Sequence, residues 1–206
     1  MNSRFYRGWF LLALASFFYG CGSDNEVEVV DIVLQFEEDK TDIQDLFSDR
    51  QIESDTVENG SGVRYGVISN NSDGEIVEQG DVVMIDYVAY TLGGNVLGTT
   101  FQSVADTSDI ISTPADQLVL THTSNGWAFN ELFTSVGGAF RTNGFRDGVT
   151  ALLNSSPEGQ FSAGSFGLIG IPGIATVVTI NGSTTRIQGI PAEVIIYEFE
   201  LAGVVK

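Results

Sequence analysis

Apolar and polar residues along the chain alternate with two different periods. In residues 36–50 (FEEDKTDIQDLFSDR), Phe36, Ile43, Leu46 and Phe47 recur at helical spacing with acids opposite, which predicts an amphipathic helix with acids in its first turn. From residue 62 onward the period shortens to two. In residues 82–90, Val83, Ile85, Tyr87 and Ala89 share one face and Asp86 lies on the other. In residues 194–201, Ile195, Tyr197, Phe199 and Leu201 face one way, and Glu198 and Glu200 face the other. Both segments read as half-buried strands. Gly93-Gly94-Asn95 marks a turn between apolar runs. Residues 176–180 and 184–187 flank Asn181-Gly182, a pair suited to the left-handed angles of a type I′ hairpin. Residues 145–153 give a second, shorter helix with Phe145, Val149, Leu152 and Leu153 on its buried side. Gly148 weakens that helix by up to about 1 kcal/mol relative to Ala. The predicted architecture is α+β: a mainly antiparallel sheet wrapped around one short helix, without an internal repeat.

The N-terminus has a different character. Arg4 and Arg7 precede an apolar run of 11 residues at 9–19 and the small Gly20. A membrane-spanning helix needs roughly 20 apolar residues, so the run reads as a secretory signal over residues 1–20, and a transmembrane anchor is the weaker alternative. Cys21, the only cysteine, follows at once. Its place resembles the lipidation site of a bacterial lipoprotein, which implies a lipid anchor to the membrane and a cell-envelope location, as an outer-membrane lipoprotein facing the periplasm or the surface. Residues 21–32 then form an acidic tether and residues 33–60 an N-terminal helical segment.

Composition narrows the function classes. Of 206 residues, 27 are acidic and 9 basic, a net charge of −18. Cleavage before Cys21 would remove two arginines and leave −20. Such acidity excludes general nucleic-acid binding, which rests on cations meeting phosphates. Thirteen of the acids lie in residues 24–58. They contain no D-x-[DN]-x-[DN]-G calcium loop, so a solvated helix face is the simpler reading. One cysteine allows neither an internal disulfide nor a Cys-rich zinc site, and one histidine, His122, allows no His-based triad. His122 reads as an ordinary loop residue, and no cofactor or metal is expected.

Five stretches carry a family resemblance by their order. They are Ser61-Gly62-Val63-Arg64-Tyr65, the run from Gly80-Asp81 to Tyr87, Gly94 through Thr100, Gly144 through Val149, and Ile190-Pro191 leading to the strand that ends at Leu201. Together they resemble the FKBP-type peptidyl-prolyl isomerases, and the preceding helix is similar to that of lipoprotein members. The resemblance implies an FKBP-like domain over residues 61–206 with an insertion at about 101–138. It also implies proline-containing polypeptide substrates and a pocket without cofactor. Carried over position by position, Tyr87, Leu97, Phe145 and Tyr197 would form the catalytic pocket, and Ile190 and Thr142 would contact substrate. Phe145 stands where the family has Trp, Leu97 and Tyr197 where it has Phe, and Gly98 where it has a pocket Asp. Each of the four pocket candidates can equally be plain core. A working pocket requires that they line one open cavity.

An X–Pro bond rotates over a barrier of roughly 18–20 kcal/mol because twisting breaks amide resonance. A dry apolar site favours the twisted, less polar amide, so such a pocket needs no nucleophile. The second reading from sequence is an FKBP-like binding or assembly module that has lost catalysis. Trp127, Phe129, Phe133 and Phe140 of the insertion would be its contact surface.

Overall fold

The computed structural model describes residues 32–109, 113–129, 143–154, 161–175, 177–180, 183–186 and 193–206. Helix α1 (Ile32–Asp49) opens the described chain. It begins four residues earlier than the periodicity indicates, so its first turn holds no acid, contrary to expectation. The added residues Val33 and Leu34 are 72% and 57% exposed, which explains why no buried face announced them. A short strand β1 (Asp55–Thr56) and β2 (Arg64–Ser69) follow. Next come β3 (Val82–Thr91), β4 (Val96–Thr99), one helical turn α2 (Gln102–Ala105), β5 (Leu118–Thr123) and β6 (Gly126–Phe129). Helix α3 (Asn143–Asn154) precedes β7 (Phe166–Ile171), a 3₁₀ turn at Gly173–Ala175, the hairpin β8 (Val177–Ile180) and β9 (Ser183–Arg186), and β10 (Ile195–Val205).

The main sheet runs β1-β2-β7-β10-β3-β5-β6, with β4 also on β3. Its neighbours pair antiparallel throughout. Strand β10 sits centrally: Tyr197 is opposite Ala89 of β3 on one side and Ile169 of β7 on the other. The α+β architecture expected from the sequence, an antiparallel sheet around one short helix with an added N-terminal helix, is the one the chain adopts. The hairpin at residues 177–186 also forms as predicted. His122, expected in a loop, is instead within β5 opposite Trp127 of β6.

The two faces of the sheet bury two separate clusters. On the inner face, Val83, Ile85, Tyr87 and Ala89 of β3 and Ile195, Tyr197, Phe199 and Leu201 of β10 pack with Phe145, Val149 and Leu152 of α3. This is the period-two pattern meeting the period-3.6 pattern. On the outer face, Ile43 and Phe47 of α1 pack on Leu168, Val194 and Ile196. The N-terminal helix is therefore a third layer. Polar contacts within it and just after it help to fix it: the Gly173 N–H donates to Asp39 at 2.8 Å, and Arg50, the next residue after the helix, reaches both Glu198 and, at 3.0 Å, Tyr90. Segment 101–138 contributes β5 and β6 to the main sheet, and β5 pairs directly with β3. No described helix is long and apolar enough to cross a membrane.

Candidate functional site

Three of the four predicted pocket residues meet on the inner face. Tyr87 and Tyr197 point inward because their strand positions are odd-numbered like those of their buried neighbours. Phe145 occupies the third position of α3. The Phe145 and Tyr197 rings lie with centroids 4.5 Å apart, tilted by 43°. Leu97, on β4, is half-buried and packs against the same cluster. Burial pushes the Tyr87 and Tyr197 phenols well above the ordinary tyrosine range, with smaller electrostatic contributions from Asp116 and Tyr87 respectively.

The cluster departs from the expected open cavity. Tyr87, Tyr197 and Phe145 are 2%, 0% and 1% exposed, so their rings fill the space between sheet and helix. Two clefts of about 430 and 350 Å³ are lined by described residues, and both lie toward β1 and α1. Neither includes any of the four candidates. Gly98 is buried opposite Ala89, and its lack of a side chain leaves no carboxylate at that position. Thr142 and Ile190 lie outside the described residues, as do Cys21, Phe133 and Phe140.

Sequence reasoning overlooked the residues that hold Tyr87 in place. The Thr99 hydroxyl and the Thr100 N–H both donate to the Tyr87 carbonyl, at 3.1 and 3.0 Å. The Tyr87 N–H donates to the Thr100 hydroxyl at 3.0 Å. Their signal was present: two adjacent threonines directly after Gly98, where strand alternation would place only one of them inward.

Of the aromatic residues of the insertion, the two that are described, Trp127 and Phe129, are committed internally. The Trp127 indole stacks on His122 at 4.5 Å and 13°, and its N–H donates to Asn154 at 3.0 Å. Arg146 lies over the Phe129 ring, 4.9 Å from its centroid. Both rings thus tie β6 to α3 instead of standing free as a contact surface. No group of three metal-ligating side chains occurs among the described residues.

No family model matches this sequence, and no curated protein does. Solved structures that resemble it are FKBP-type chains. FkpA from Escherichia coli aligns at 14% identity over 98% of this chain and 75% of its own, with a TM-score of 0.47. AtFKBP13 aligns at 15% over 74% of this chain and 99% of its own, with a TM-score of 0.40. The N-terminal domain of FKBP42 from Arabidopsis thaliana aligns at 10% over 75% and 93%, with a TM-score of 0.38. These likenesses carry no argument about activity, which rests on the residues of this chain.

Proposed function

We infer that this chain is an FKBP-type peptidyl-prolyl isomerase of the cell envelope, anchored by lipid at Cys21, with an aromatic cluster closed at rest. One observation carries the reading: Tyr87, Phe145, Tyr197 and Leu97, named from motif order alone, converge in one cluster between the sheet and α3. Nothing reactive is required of them. Their part is to surround an X–Pro amide with apolar surface once its path is open, favouring the twisted state.

Closure sets the expected rate. Exposing one large aromatic side chain costs about 1.5–3 kcal/mol. At about 2.7 kcal/mol, roughly one molecule in 100 is open, and apparent affinity falls by that factor. Turnover should therefore be slow but measurable in a protease-coupled assay on a proline peptide. Phe145→Ala removes the ring that packs on Tyr197 and should alter the rate. Because that variant also leaves a core cavity, Tyr197→Phe, which keeps the ring, serves as the folded comparison.

A second reading is favoured by Gly98, which leaves no carboxylate at its position: an FKBP-like binding or assembly module of the envelope without turnover. Wild-type protein that gives no acceleration over the uncatalysed reaction at any concentration eliminates the isomerase and leaves this module. Anchoring is tested separately. Cys21→Ser should abolish labelling by a radioactive fatty acid and release the protein from membranes.

A further inference from the structure

The sheet ends in a step. Strand β1 pairs with β2 at two positions only, Asp55 opposite Tyr65 and Thr56 opposite Arg64, while β2 continues to Ser69. The Val57 N–H donates to the Val63 carbonyl at 2.9 Å, so the main-chain groups of Val63 face the β1 side. Main-chain direction alternates along a strand, which turns Tyr65 and Val67 to that side as well. Extending the register would place Glu53 opposite Val67. The chain instead leaves the edge there and crosses the outer face: a Cβ built at Gly66 would lie 2.4 Å from the Glu53 carbonyl oxygen. On that side no strand lies opposite Val67 among the described residues, while on its other side Val67 pairs with Gly167 of β7, with a register shift directly after it.

A cleft of about 430 Å³ lies at this step, lined by Glu53, Ser54, Asp55, Tyr65, Gly66 and Val67. Val67 and Ile68 are 37% and 43% exposed beside it. Glu53 and Asp55 are exposed on its rim. Arg64 donates to the hydroxyl of the lining residue Ser54 at 2.9 Å. Unpaired main chain, apolar side chains and two carboxylates thus occur together at one sheet edge.

We propose that this edge is a docking site for an extended polypeptide segment with alternating basic and apolar side chains. The segment would add a strand beyond β1, bonding to the Val67 main chain. Its apolar side chains would cover Ile68 on one face, and its cations, on the face that Val67 shares with Tyr65 and Asp55, would meet Asp55 and Glu53 with their aliphatic stems over Val67. A second copy of this chain fits less well, because it would bring the same two carboxylates against their own counterparts. The site is distinct from the aromatic cluster and does not depend on isomerase activity.

The probe is a short labelled peptide of alternating lysine and valine, titrated against the folded protein by fluorescence anisotropy. Saturable binding is expected, weakened by high salt because surface charges are screened. Joint substitution Glu53→Lys and Asp55→Lys should weaken binding about tenfold. Val67→Pro removes the edge donor at a position where edge strands tolerate proline, and should abolish binding. Circular dichroism checks the fold of each variant. If Val67→Pro does not fold, the exposed charge reversals decide alone. Equal affinity for a glutamate–valine peptide, or affinity untouched by the charge reversals, overturns the proposal. So does a concentration-dependent dimer in sedimentation that Val67→Pro dissolves, which would assign the edge to self-association.

Discussion

Gly148 shows how a single position can carry a packing requirement that its local propensity conceals. In a helix, glycine is the weaker choice by roughly 1 kcal/mol relative to alanine, so propensity alone favours Gly148→Ala. A Cβ at this position would sit 2.5 Å from Cγ2 of Ile169 and 3.2 Å from Cγ1 of Val63. Overpacking of that kind costs about 1–3 kcal/mol, which exceeds the gain. Urea denaturation of Gly148→Ala should therefore show a lower midpoint with an unchanged slope. Gly170 plays the matching part on the other face, where an added Cβ would lie 2.5 Å from Ile43 of α1. The site residues divide along a similar line. Inward direction of Tyr87 and Tyr197 was legible because alternation fixes it. Whether the rings stay covered was not, because that depends on how closely α3 approaches the sheet, which small residues such as Gly148 set.

Among elements, α1 is held by contacts of unequal strength. Asp39 is 2% exposed, accepts from the Gly173 N–H, and accepts from the Gln35 amide at 2.8 Å. Asp39→Ala removes a buried partner and should destabilise by about 1–3 kcal/mol. Arg50 and Glu198 are both more than one-third exposed, so Arg50→Ala should cost less than about 1 kcal/mol. Thermal unfolding of the two variants side by side measures the ordering. The two long strands β3 and β10 and the pairing of β8 with β9 could be read in advance from alternation and turn chemistry. The docking of α1 could not be read so directly, because it depends on residues that break the alternation: Ile196 stands among the outward-facing acids of β10, yet it is fully buried beneath the helix. An apolar residue on the polar face of a strand was the available sign of a third layer.

For the whole molecule, burial makes alkaline pH the revealing variable. Burial raises the phenols of Tyr87, Tyr90 and Tyr197, and at Tyr90 a hydrogen bond and charge from Glu198 add to it. A raised folded-state value means the unfolded chain releases its phenolic protons first. This contribution to stability is fully present below about pH 10 and is lost as pH rises above it. Absorbance at 295 nm should then show these three tyrosines ionising together with unfolding. Gradual ionisation of Tyr87, Tyr90 and Tyr197 in a protein still folded by circular dichroism would contradict their burial. At the opposite end of the scale, Asp81 is held below the usual carboxylate range by the Glu78 N–H and by Lys206. Its contribution is present at neutral pH and is lost as pH falls through that depressed value, so Asp81→Asn should flatten the acid limb of the stability profile.

Strand β10 has a further consequence, in time. Its odd-numbered residues from Ile195 to Leu201 complete the inner cluster, and Ile196 completes the outer one. Its partner β3 lies more than a hundred residues earlier. A chain emerging from a ribosome or a translocation channel N-terminus first can close neither cluster until residues 195–201 have appeared. Until then α1 has an incomplete surface to settle on, and β3 and β7 have lost the strand that joins them. Residues 195–201 thus act as the seam for both layers.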